Sequence, residues 1–281
     1  NRTIFSRKLR GLIADRLKHH EQTMLFLNKR GVAGFISCRS CGKVMKCPHC
    51  DVSLTEHANG RLMCHYCGYT SPKITVCPEC GSKYVSGFRA GTEAVEQQVR
   101  KDFPQARVLR MDMDTTKGKE GHEKILAEFA NGNADILIGT QMIVKGHDFP
   151  NVTLMGVLAA DMSLYASEFR ASERTFQLLT QAAGRAGRAE KNGEVVIQTY
   201  TPEHFSIVSA AKQDYNDFYE QEIAYRKLMA YPPAGNMMKI MLSSSDEDML
   251  AKAAGTLKVY IDTRCIRPGL MCIGPADAPV Y

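Results

Sequence analysis

The sequence predicts an α/β fold built on a parallel sheet, with a cysteine-rich insertion and, after it, the start of a smaller α+β domain. Three observations carry this prediction. Short apolar runs such as Ile136-Leu137-Ile138 and Val152 to Ala159 end in small polar turns and alternate with helix-length stretches, as strands buried on both faces do. Eight of the 10 cysteines fall in C-x2-C pairs between Cys38 and Cys80. The chain has 281 residues, 44% hydrophobic and 23% charged, enough for a full core and two domains.

In chain order, residues 1–22 read as an amphipathic helix, with Ile4, Leu9, Leu12, Ile13 and Leu17 spaced for one face. Thr23 to Asn28 is strand-like and ends in the basic turn Lys29-Arg30-Gly31. After the cysteines, Tyr84 to Phe88 is a short strand and Thr92 the N-cap of a helix running to about Phe103. Arg107 to Met111 is a strand and Lys119 to Ala130 a helix, stopped by Asn131-Gly132-Asn133 in an αL turn. Glu194 to Tyr200 is a further strand, and a helical connector then continues through Asp214 to Met229, where Tyr231-Pro232-Pro233 stops it. Asn236 to Ser243, Asp246 to Tyr260 and Met271 to Ile273 read as strand, helix and strand. The expected segments are 1–37 with 81–230 for the sheet lobe, 38–80 for the insertion and 231–281 for the start of the last domain.

The cysteine spacing is the most specific chemical signal. Cys38/Cys41, Cys47/Cys50, Cys64/Cys67 and Cys77/Cys80 supply eight thiols, and each C-x2-C turn presents two soft ligands to a tetrahedral metal. Gly42, Gly68 and Gly81 directly follow three of these knuckles. Zinc fits best; iron is the competing metal, since all-cysteine tetrahedra also suit it, and free or redox-active thiols would need eight regular ligands by coincidence. Spacing alone does not say which knuckles pair. With no export signal, this cysteine usage predicts a reducing cytoplasm rather than disulfides. The formal charge of +6 would fall to about +2 with two ZnCys4 units bound, so global charge argues only weakly for a polyanionic partner. No apolar run is long enough to span a bilayer.

The stretch from Asp135 to Arg188 organises the rest. Ile136 to Ile138 leads to Gly139-Thr140-Gln141, which a parallel strand would deliver to the carboxyl edge of its sheet. Lys145-Gly146-His147-Asp148-Phe149-Pro150 follows, and later Gln181-Ala182-Ala183-Gly184-Arg185-Ala186-Gly187-Arg188. Arg185 and Arg188, three apart, would share one helical face. A guanidinium fork of this kind suits the charge that builds on a transferring phosphoryl group. Asp246-Glu247-Asp248 imitates an acidic metal box, but with no phosphate loop before it the three acids make a helix start.

The wording GTQM-x3-GHDFPNV followed by ER-x-FQLL-x-QAAGRAGR resembles motifs V and VI of superfamily 2 helicases, and within them the bacterial replication-restart helicases. The resemblance covers nearly the whole chain. It implies a RecA-like lobe and a nested pairing of the knuckles, Cys38, Cys41, Cys77 and Cys80 on one zinc, Cys47, Cys50, Cys64 and Cys67 on the other. It implies DNA contacts from Lys29 and Arg30, from Thr92 and from Thr140 with Gln141. Gly146 and Asp148 would face the ATP ribose. Gln181, Arg185 and Arg188 would line the γ-phosphate, with Arg188 the arginine finger, across a cleft at the sheet's ligand-binding edge. It implies ATP and Mg2+ as cofactors, forked and single-stranded DNA as ligands, and primosome and single-strand-binding proteins as partners. The parent activity would be ATP-dependent 3′-5′ unwinding at stalled forks.

Two features qualify the resemblance. The stretch Tyr165-Ala166-Ser167-Glu168-Phe169-Arg170 departs from the family's Pro-Asp-Phe-Arg wording, which leaves Glu168 without an implied role, while Arg170, Glu173 and Arg174 match. The chain contains no G-x4-G-K-[ST] loop. The ATP-cradling lobe is therefore expected before Asn1, and this segment alone is expected to be catalytically silent. The rival reading is a non-enzymatic zinc module that binds single-stranded DNA or partner proteins.

Overall fold

Helices and strands alternate along the chain as the apolar pattern requires. The computed structural model describes residues 4–27, 36–57, 60–87, 91–112, 119–140, 143, 149–166, 168–187, 193–265 and 267–277. In order, the elements are α1 (Arg7–Lys18), β1 (Gln22–Leu27), β2 (Ile36–Cys38), β3 (Thr55–Glu56), β4 (Leu62–Met63), β5 (Thr70–Ser71) and β6 (Val85–Gly87). Then come α2 (Thr92–Asp102), β7 (Val108–Met111), α3 (Lys119–Ala130), β8 (Ile136–Gly139), β9 (Val152–Leu158), α4 (Asp161–Leu164) and α5 (Ala171–Ala183). The chain continues through β10 (Glu194–Ile197), α6 (Phe205–Lys212), α7 (Tyr215–Leu228) and α8 (Glu247–Arg264). Two compact units result. One comprises residues 1–32, 88–164 and 170–222; the other comprises 33–87, 165–169 and 223–281.

The first unit holds a five-stranded sheet in the order β10-β9-β1-β8-β7, every pairing parallel. Its central strands are buried at every position, which explains why they read as continuous apolar runs rather than as alternation. Leu25, Leu27, Ile136, Ile138, Leu154 and Leu158 form one face and pack against Leu9 and Ile13 of α1 and Val95 and Val99 of α2. The alternate residues Met24, Phe26, Leu137 and Met155 are buried as well and point to the opposite face. The register aligns Gln22 with Val152 and Leu27 with Leu158, so Gln22, Ile136 and Val152 mark the amino edge and Gly139 and Leu158 the carboxyl edge. Gln22 is itself buried, and its side-chain amide donates to the carbonyls of Phe129 (2.7 Å) and Ala134 (2.8 Å), satisfying the end of α3. That end has the αL form expected, with Gly132 at φ +76°.

Several expectations are corrected. α1 starts at Arg7, where Ser6 caps it by accepting from the Leu9 amide. Gly91, not Thr92, occupies the N-cap of α2. The connector after β10 is two helices, because Gln213 adopts αL geometry (φ +55°) between α6 and α7. Residues 236–243 and 271–273 form no strand, and of the β-α-β read there only the helix, α8, forms, capped by Asp246 as its sequence suggests. Residues 236–243 are exposed throughout. A strand needs a partner backbone and a buried face, and among the described residues neither is at hand.

In the second unit the strands are two or three residues long, pairing as β2 with β6 and as the meander β3-β4-β5. Cys38, Cys47, Cys50, Cys64 and Cys77 belong to its hydrophobic cluster with Ile36, Met45, Leu54 and Leu62. Among the described residues no helix is long and apolar enough to cross a membrane.

Candidate functional site

Each C-x2-C pair folds into the same turn. The amide after the second cysteine donates back to the first cysteine's carbonyl: Gly42 to Cys38 (3.0 Å), Asp51 to Cys47 (3.0 Å), Gly68 to Cys64 (2.9 Å) and Gly81 to Cys77 (3.0 Å). The first cysteine's own amide closes the loop one residue further on, Cys38 to the carbonyl of Lys43, Cys47 to Val52, Cys64 to Tyr69 and Cys77 to Ser82, each at 2.8 Å. All four pivot residues have positive φ, from 52° at Asp51 to 79° at Gly42. Glycine reaches that region without strain, and Asp is among the few side chains that tolerate it.

The knuckles pair as nested, Cys38, Cys41, Cys77 and Cys80 in one group and Cys47, Cys50, Cys64 and Cys67 in the other, with all sulfurs of a group within 4.8 Å. Across the knuckles, sulfurs stand 3.6 Å apart at Cys38/Cys80 and 3.7 Å at Cys41/Cys77 and Cys47/Cys67. Tetrahedral zinc with bonds of about 2.3 Å asks for about 3.8 Å between sulfurs. The donor set therefore fits one zinc per group, and a multi-iron cluster, which spreads its cysteines more widely, does not fit. Burial pushes the Cys64 thiol up to about 11 and raises that of Cys50 as well. A bound cation would offset that burial and let four thiolates share the space. The two groups differ in access, since Cys41 and Cys80 of the first are exposed while Cys47, Cys50 and Cys64 of the second are buried.

The candidate nucleotide-facing residues gather at the end of α5. Gln181, exposed in its last turn, and half-buried Arg185 line one open pocket of about 440 Å³ with Phe176, Gln177, Thr180 and Gly184. Arg185 does not sit on the helix, a correction to the shared-face reading. α5 ends at Ala183, and the chain turns at Gly184 and at Gly187 (φ +74°). The Gly187 amide donates to the Val152 carbonyl at 3.1 Å, and a Cβ on Gly193 would collide with the Ala186–Gly187 peptide, so the turn is fixed in place. Val152 begins β9, which puts this turn at the amino edge of the sheet, next to the residues that follow Asp148. The turn that carries Arg185 thus lies at the edge opposite Thr140, a correction to the expectation of a single ligand-binding edge. Arg188, Gly146 and Asp148 lie outside the described residues.

At the opposite edge Thr140 follows β8 directly, half-buried, its carbonyl accepting from the Ile143 amide at 3.1 Å. Gly139 before it has no room for a side chain, because a Cβ would lie 2.9 Å from the Met111 carbonyl oxygen. Thr92 stands near the same edge but is buried, and its hydroxyl donates to Asp112 Oδ2 at 2.5 Å. Arg110 pairs with that carboxylate at 3.1 Å and with Glu96 at 3.1 Å. Thr92 therefore neither caps α2 with its side chain nor presents its hydroxyl to solvent. Sequence reasoning passed over Asp112; a lone Asp at the end of a strand gives no signal until its partner, twenty positions away, is brought beside it. It also missed Asp161, buried and accepting from the Thr199 hydroxyl (2.9 Å) and the Tyr200 amide (3.1 Å), which ties the end of β9 to the segment after β10. Lys29, Arg30 and Gln141 lie outside the described residues.

Comparison with known proteins fits both units. The pattern of the PriA DNA helicase Cys-rich region (CRR) domain matches residues 47–72, and that of the helicase conserved C-terminal domain matches residues 83–190. The chain is 48% identical over 281 residues to the replication restart protein PriA of Bacillus subtilis, covering 100% of this chain and 35% of that protein. It is 41% identical over 285 residues to the protein of the same name from Synechocystis, covering 100% and 34%. The Chlamydia pneumoniae protein is 48% identical over 234 residues, covering 82% and 31%. Similarity at this level, running through the sheet lobe and the cysteine module alike, admits one placement: the chain belongs to the replication restart protein PriA family, of whose members it spans about a third.

Proposed function

We propose that this chain is the second motor lobe and zinc module of an ATP-dependent DNA helicase that moves 3′ to 5′ and reloads the replication machinery at stalled forks in the cytoplasm. The observation that supports it best is the shared position, at the start of β9, of the Arg185 turn and of the segment that follows Gly146 and Asp148. Phe149, just after the first motif, and the turn of the second share that position although they are far apart in the chain, which supports a nucleotide site formed with a partner lobe and its Mg2+.

In this reading Gly146 and Asp148 face the ribose, Gln181 and Arg185 orient around the γ-phosphate, and Arg188 supplies the arginine finger. Thr140, Gln141, Lys29 and Arg30 hold the strand backbone. Thr92, its hydroxyl held by Asp112, serves by fixing the first turn of α2. The zinc ions, each enclosed by four thiolates, supply folding free energy and fix the module's surface. Forked and single-stranded DNA, primosome proteins and single-strand-binding protein are the partners.

The test uses a protein of the full length of the relatives. Arg188→Ala is expected to lower DNA-stimulated ATP turnover by roughly 10³-fold while DNA binding persists. Unchanged turnover would refute the assignment and favour a zinc-dependent binding module. The 281-residue chain alone is expected to hydrolyse no ATP.

A further inference from the structure

Two histidines of the cysteine-rich unit meet outside both sulfur groups. His57 directly follows β3, and its amide donates to the Arg61 carbonyl at 2.9 Å, which carries the β3-β4 ladder one step further. His65 lies inside a knuckle, between Cys64 and Cys67. The two Nε2 atoms stand 3.3 Å apart, with ring centroids 5.0 Å apart and ring planes inclined at 50°. Both residues are half-buried. Cys47, Cys50, Cys64 and Cys67 already supply four ligands to the neighbouring metal position, so neither imidazole is needed there.

The second ring nitrogen of His65 fixes what the first can do. Its Nδ1 lies 3.0 Å from the Asp277 carbonyl oxygen. A carbonyl only accepts, so Nδ1 carries the hydrogen, and Nε2 of the neutral ring keeps a bare lone pair. Metal-ligating histidines are held in this way, with the far nitrogen donating to a carbonyl or carboxylate. The segment that supplies the carbonyl lies against the knuckle, since a Cβ on Gly68 would stand 3.1 Å from the Pro275 carbonyl oxygen. The spacing of the two Nε2 atoms suits a shared cation as well: tetrahedral zinc with bonds of about 2.0–2.1 Å asks for about 3.3 Å between nitrogens. Two neutral rings can meet with the His57 proton on Nε2, as a hydrogen bond, or with it on Nδ1, around a cation. His57 keeps one proton in either case.

We propose that His57 and His65 are the protein ligands of a third divalent-cation site, open and exchangeable, whose remaining positions are filled by water. Two imidazoles select late first-row ions such as nickel, copper and zinc over calcium or magnesium, which prefer oxygen. The bound ion ties the end of β3 to the Cys64/Cys67 knuckle and so braces the module beside its buried sulfur group. The site is independent of the helicase reading.

The probe is Ni2+, titrated by calorimetry into the chain with both cysteine groups loaded with zinc. One Ni2+ per chain is expected to bind, with elemental analysis still finding both zinc ions afterwards. His57→Ala and His65→Ala should each weaken that binding by about 100-fold or more, beyond the about 10–100-fold that loss of an outer partner of a ligand costs. Replacing His19 and His20, the adjacent pair just after α1, by alanine should leave it unchanged. At free Ni2+ tenfold above its dissociation constant, amides of β3 and β4 that exchange only when His57 and His65 part should exchange about tenfold more slowly. Binding that survives either His57→Ala or His65→Ala overturns the site. So does the failure of Ni2+ to bind at micromolar concentration, which would leave the two rings as a plain hydrogen-bonded pair. Should His65→Ala release zinc from its knuckle, His57→Ala, outside every knuckle, decides.

Discussion

The two units reach a fixed structure by opposite means. The sheet lobe is held by apolar area: Leu25, Ile136, Ile138 and Leu154 are wholly buried between helices, and each such side chain is worth roughly 1.5–3 kcal/mol. The cysteine-rich unit has strands of two or three residues and five cysteines in its own core. Its order rests on four repeats of one backbone turn aimed at two metal positions, and each structural zinc carries about 10 kcal/mol or more of folding free energy. Sheets average their stability over many contacts; metal knuckles concentrate it in a few bonds.

The largest expected effect follows from that contrast. A strong chelator should abolish amide protection in β3, β4 and β5 while the parallel sheet stays protected, as read by hydrogen exchange. The two metals should leave in order, first from the group with exposed Cys41 and Cys80, then from the buried one. Simultaneous release, or melting of the sheet with the zinc, would break the comparison. An intermediate effect belongs to Gln22, the buried amide of β1 that serves two carbonyls of the α3 end. Gln22→Met keeps the shape and orphans both acceptors, and should lower stability to urea by about 1–3 kcal/mol with the zinc content unmoved.

The smallest concerns Asp135. Burial works to raise its carboxyl, but hydrogen bonds from the Arg107 side chain and amide overcome this and hold it below the usual carboxylate range. Its contribution is therefore present above the unfolded value and lost as pH falls through the folded one. Arg107 is more than half exposed, so solvent screening limits the pair to less than about 1 kcal/mol. Asp135→Asn should remove that acid-side dependence and lower neutral stability by less than about 1 kcal/mol, by urea titration at several pH values.

The regular part of the molecule was legible because its signals are local. Burial on both faces writes itself as apolar runs, and α3 begins and ends where Lys119, Ala130 and Gly132 indicate. Each knuckle carries its own spacing, and the family resemblance supplied the nested pairing that the sulfur positions bear out. What was not legible depends on partners distant in the chain. Thr92 looks like a cap until Asp112 claims its hydroxyl. Arg185 looks like part of a helical face until the helix stops at Ala183, ahead of it. Residues 236–243 are apolar enough to read as a strand, but composition supplies no neighbour to pair with. The contacts of Phe169 draw on residues 66, 226 and 231, which no window of sequence contains.

The edges of the sheet have one further consequence. Thr140 and the Arg185 turn stand at opposite ends of strands up to seven residues long, a separation of about 20 Å at ~3.3 Å per residue. No side chain reaches that far. Anything that links the two ends has to pass along the strands between them, where Leu25, Ile136 and Leu154 are wholly buried and close packing leaves little room to give.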